Sequence, residues 1–94
     1  QAALADCAES LKHEQNAAAY DGRGFVYLKL GEWDLAISDY TAALRLDPKL
    51  ATALYGRGLA HSRKGLAEQA SQDHAAAQNL APDIADVFAR AGFK

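Results

Sequence analysis

Ninety-four residues, half of them apolar, with 22 Ala and only two Pro, allow one small domain of closely spaced helices, because Ala favours helix and buries little area. A formal charge of −2, from ten basic and twelve acidic residues interspersed along the chain, offers no basic stripe to neutralise phosphates and argues against nucleic acid as a partner. No apolar run approaches the ~20 residues that a membrane-spanning helix needs, which argues against membrane insertion, and the single Cys7 rules out an internal disulfide.

Taken in order, residues 2–13 place Ala3, Cys7, Ser10 and Leu11 on one helical stripe and predict a helix with one buried face. Asn16 is a candidate N-cap for a helix over 17–30, which Gly31 ends. A partner helix over 33–46 carries Ala36, Ile37, Tyr40, Ala43 and Leu44 on one face, and Asp47-Pro48 stops it because a residue before Pro avoids helical geometry. The same sequence of features then returns 34 residues later. Gly24, Tyr27, Gly31, Trp33, Ala36, Tyr40, Ala43 and Pro48 are answered by Gly58, His61, Gly65, Ala67, Ala70, His74, Ala77 and Pro82. A fixed period of this length signals stacked helical hairpins. Residues 2–13 match 35–46 at an offset of 33 and read as the second helix of a preceding unit. Residues 84–94 read as the start of a third unit or as a capping helix, with Phe88 in register with Leu54 and Tyr20. The opening residues look like mid-helix, so the chain is expected to be a fragment; the default compartment is the cytoplasm, with room for an upstream signal.

The spacing W-x2-L-G-x2-Y, then A-x3-F, then P is that of the tetratricopeptide repeat, and this chain resembles it. Tyr20 stands at the tryptophan, Arg23 at the leucine, and Gly24, Tyr27, Ala36, Tyr40 and Pro48 keep the remaining pattern. The resemblance implies an all-α fold, an alpha-alpha superhelix of antiparallel hairpins with two full repeats, 17–48 and 51–82, and a flanking helix at each end, all in a single domain spanning 1–94. Gly24 and Ala36 let the helices of a hairpin approach, while Tyr27, Trp33 and Tyr40 fill the wider gaps. Gly22 and Gly56 have no such role in the pattern; a close approach of the preceding helix is one reason that would account for them. The second repeat puts His61, Ala67 and His74 where the first has large aromatics, so it is expected to open first.

Function follows by register from the same resemblance, in which the first helix of each repeat lines a concave groove. The groove positions are then Phe25, Leu59 and Phe93, with Asp21, Leu28, Tyr55 and Ser62 beside them and Lys29, Arg63 and Arg90 along the edge. An apolar strip edged by cations suits a peptide or protein segment with hydrophobic anchors and some acidic residues. The plainer reading is that Phe25 and Leu59 pack first helices together. A scaffold for protein–protein interaction is the implied role, and the alternative is an assembly module that forms homo-oligomers through its open helical ends. Relatives that clamp a chaperone's terminal carboxylate use Lys and Asn, whereas the matching places here hold Asp21, Phe25, Gly56, Asp86 and Arg90, so that role is not expected.

No catalytic, cofactor or metal site is expected. His13-Glu14 begins an H-E-x-x-H motif that ends in Ala17, and zinc binding of that type needs both imidazoles on one helical face. Gly22-Arg23-Gly24 lies within a helix and lacks the strand and the Lys of a phosphate loop. Cys7 takes a packing position. His61 and His74 also fall on packing positions, where burial would make their charging destabilising; the simpler alternative is a partly exposed imidazole with a hydrogen-bond partner.

Overall fold

A computed structural model describes residues 16–93, and the helix expected over 2–13, with Cys7 and His13, lies outside the described residues. Five helices follow in order: α1 (Ala17–Leu30), α2 (Trp33–Leu46), α3 (Ala51–Arg63), α4 (Ala67–Leu80) and α5 (Ile84–Arg90). No strand occurs among the described residues. The chain is an all-α helical repeat in which α1 pairs with α2 and α3 with α4, and α2 packs on α3 to join the two hairpins.

Local chemistry sets the boundaries. The Asn16 side-chain oxygen accepts a hydrogen bond from the Ala18 N–H at 2.9 Å and so satisfies one of the free donors at the start of α1. Gly31, at φ +78°, turns the chain out of α1, and the Glu32 N–H then donates back to the Tyr27 carbonyl at 2.9 Å. Gly65 repeats the device at φ +80°, with the Leu66 N–H donating to the His61 carbonyl at 2.8 Å. Both second helices end in extended residues, Asp47 and Ala81, each followed by Pro.

Tyr40 is the centre of the core. Its side chain is fully buried, and its ring lies between the backbones of α1 and α3. A β-carbon on Gly24 would stand 3.1 Å from that ring, and one on Gly56 only 2.4 Å from its Cζ. Gly56 is therefore the residue that lets the second hairpin close on the aromatic ring of the first. Gly58 does the same for His74, whose Cδ2 would lie 2.5 Å from an added β-carbon. Around Tyr40 the core is small and aliphatic, with Leu28, Ala36, Ala43, Ala53, Ala60 and Ala77 buried.

A second repeating feature is polar. The Arg23 guanidinium donates through Nε and one terminal nitrogen to both carboxylate oxygens of Asp39, each at 2.7 Å, and Arg57 does the same to Asp73 at 2.9 Å. Both carboxylates are buried, and a fork-to-fork pair satisfies a buried carboxylate at a fixed geometry. Arg57 also donates to the Thr41 hydroxyl at 3.3 Å, which ties the second hairpin to α2 of the first. The leucine position of the repeat pattern is thus used here for one cross-helix ion pair per hairpin.

α5 departs from strict register. Gly92 aligns with Gly58, which lies inside α3, yet Gly92 takes φ +103° just past the end of α5, and the Phe93 N–H donates to the Phe88 carbonyl at 2.9 Å. The helix is held by Ile84 and Phe88, both 3% exposed. The Phe88 ring meets Tyr55 of α3 at 4.8 Å and Phe25 of α1 at 6.1 Å, so α5 reaches both first helices.

Candidate functional site

The first helices and α5 together enclose a cleft of about 270 Å³. Its walls are mainly apolar: Phe25 on one side, Val87 and Phe88 of α5 and Ala91 just past its end on the other. Tyr40 lines it as well, and the polar atoms come from Asp21 and Thr52. Gly22 borders the opening, and a β-carbon there would meet nothing within 4 Å.

The electrostatics centre on Asp21. One carboxylate oxygen accepts a hydrogen bond from the Thr52 hydroxyl at 3.0 Å, which joins α1 to α3. No cation pairs with this carboxylate among the described residues. Burial pushes the Asp21 carboxyl above its ordinary proton affinity, and the Thr52 bond only partly counters this. The Tyr40 hydroxyl is buried without a hydrogen-bond partner, and burial, followed by the nearby charges of Asp21 and Asp39, holds it strongly in the protonated form.

Beside the cleft lies an aromatic cluster. Phe93 meets Phe25 edge-on at 5.5 Å and Phe88 at 6.0 Å. The Lys29 ammonium stands 5.7 Å from the centre of the Phe25 ring and 6.0 Å from that of Phe93, within cation–π range of both. Tyr55 stacks on His74 at 4.5 Å and tilts against Phe88.

Of the residues expected to line a groove, Asp21, Phe25, Lys29, Tyr55 and Phe93 thus gather around the cleft and its aromatic rim. Leu59 is partly buried against the core, and Ser62, Arg63 and Arg90 are exposed. Leu28 requires correction: it is 1% exposed, a member of the core cluster, and its side chain is out of a ligand's reach. At position 28 the helix already faces the partner helix, three residues round from Phe25.

Several residues escaped the sequence reading. Thr52, Val87, Phe88 and Ala91 were not read as lining, because the course of α5 is not given by the period. The Arg–Asp pairs left a legible signal, an Arg and an Asp sixteen residues apart in both repeats. Near them, His61 Nε2 lies 3.6 Å from Asp73, while His61 Nδ1 and His74 Nε2 are buried without partners. Burial lowers the proton affinity of both imidazoles; Asp73 opposes this at each, and Arg57 and Lys64 reinforce it at His61. Among the described residues no helix is long and apolar enough to cross a membrane.

Comparison with known families agrees with this architecture. A family model described as TPR repeat matches residues 24–65, from within α1 to the loop after α3. Among curated proteins, none matches the chain.

Proposed function

We propose that this chain, a tetratricopeptide-repeat protein of a family whose repeats generally mediate protein–protein interaction, is a binding scaffold that holds a peptide or protein segment on its first-helix face. The observation that carries the reading is the apolar cleft between α1, α3 and α5, with its rim of Phe25, Phe88 and Phe93. Small concave sites with apolar walls and few polar groups are where side chains of a partner gain most from leaving water. The exposed Lys29, held over two rings, supplies a cation beside this surface for acidic residues of the partner.

Selection of dodecapeptides from a displayed random library tests it. Peptides selected on the wild-type chain are expected to bind the Phe25→Ser/Leu59→Ser double variant at least about fivefold more weakly, since losing an apolar anchor at such a site costs more than about 1 kcal/mol. Lys29→Glu, which alters an exposed side chain, keeps the fold measurable and is expected to weaken the acidic peptides selectively. Peptides that bind wild type and both variants alike, with helix content unchanged, overturn the proposal.

A further inference from the structure

Resting on the groove reading above, we infer that the cleft takes the cationic side chain of a Lys or Arg from the bound partner, its aliphatic stem against Phe25 and Phe88 and its head on the Asp21 carboxylate.

Charge complementarity carries this. The two buried carboxylates among the described residues, Asp39 and Asp73, are each closed off by a bidentate Arg. The half-buried Asp21 is not; among the described residues its side-chain partner is the neutral Thr52 hydroxyl, and it faces a cleft with apolar walls. An apolar occupant would strip remaining water from that carboxylate and give nothing back, and an anionic one would be repelled. A cation on a methylene stem does neither: the stem covers apolar wall while the head meets the charge. The rings of Phe25 and Phe88 favour the same occupant, because an aromatic face attracts a cation that approaches it. Lys29 already uses Phe25 in this way from α1. The elevated proton affinity of Asp21 has the same origin, a carboxylate desolvated ahead of any counter-charge.

Chemical-shift titration of the ¹⁵N-labelled chain tests the inference with three probes that share a four-carbon stem: n-butylguanidinium, n-butylammonium and uncharged n-butanol. The cations are expected to shift the amides of residues 21, 22, 87 and 91 in a saturable way, and the alcohol to bind at least about fivefold more weakly. Asp21→Asn retains an acceptor for Thr52 and is expected to weaken the cations about tenfold, the worth of a partly desolvated charge pair, and to leave the alcohol unchanged. Gly22→Leu, placed where a β-carbon meets nothing, is expected to fill the opening and block all three. Equal binding of cation and alcohol, indifference to Asp21→Asn, or shifts confined to other residues overturn the inference. The groove reading fails separately: if selected peptides depend on Phe25 and Leu59 while the cations do not bind, the side-chain assignment falls and the groove stands. If no groove-dependent peptide is selected but the cations bind through Asp21, the cleft is a cation site without the peptide role.

Discussion

Gly22 and Gly56 occupy equivalent places in the two G-R-G segments, and their environments separate them. An added methyl at Gly56 would overlap the ring of Tyr40, which is fully buried and held on its other side by Gly24. Overpacking of this kind costs about 1–3 kcal/mol, against a helix-propensity gain of about 1 kcal/mol for Gly to Ala. Gly56→Ala is therefore expected to lose up to roughly 2 kcal/mol in urea unfolding, while Gly22→Ala gains about 0.5–1 kcal/mol because its β-carbon meets nothing. Equal effects at the two sites would refute the Tyr40 contact. Close approach of the preceding helix, the reason the sequence offered for both glycines, holds at Gly56 and not at Gly22, and the neighbour that demands Gly56 lies sixteen residues away on another hairpin. Asp21 was legible as a groove position by register, whereas its lack of a counter-ion depended on where α5 put its side chains.

At the scale of the elements, the hairpins share a frame and differ in filling. Each has a Gly at the close approach, a buried Ala opposite, and an Arg–Asp fork, but Tyr40 is replaced by His74 in the second. Stacking of His74 on Tyr55 recovers part of the lost contact, at the cost of its Nε2 buried without a partner, and Nδ1 of His61, which replaces Tyr27, is likewise unpartnered. The titration sign follows from the lowered proton affinity of both imidazoles. In the unfolded chain a histidine charges near pH 6.5, while in the folded chain it resists until a lower pH. Stability is complete above pH 6.5 and is lost as pH falls from there towards the depressed folded values. Asp73 limits the effect; Arg57 and Lys64 enlarge it at His61. Melting curves at pH 7.5 and 5 are expected to show a larger drop for wild type than for the His61→Tyr/His74→Tyr variant, with faster amide exchange appearing first in residues 67–80. Equal drops would exclude a role for the imidazoles.

For the molecule as a whole, the fold could be read from the 34-residue period because stacking neighbours is the only way each hairpin buries its apolar face. The site was less legible. A period places residues along a groove but does not say how far its last element bends inward, and it gives no sign that Phe88, equivalent in register to Leu54 and Tyr20, reaches across to Phe25. Leu28 shows the complementary error, a residue near the groove line in sequence that the helix turns into the core. These observations fix how α5 should respond when detached. Seven residues are too few to hold a helix without packing, and α5 is held by Ile84 and Phe88. Phe88→Ala removes burial normally worth about 3–5 kcal/mol, more than so short an element can spare. The core around Tyr40, Leu28 and the buried alanines is built mostly from α1–α4, and α5 adds only Ile84 and Phe88 at its edge. Hydrogen exchange of this variant is therefore expected to lose protection in residues 84–93 while α1–α4 keep one cooperative transition, lowered by less than about 8 °C. Loss of the whole transition would mean that α5 is part of the folding unit, and that the cleft it walls cannot open without unfolding the scaffold.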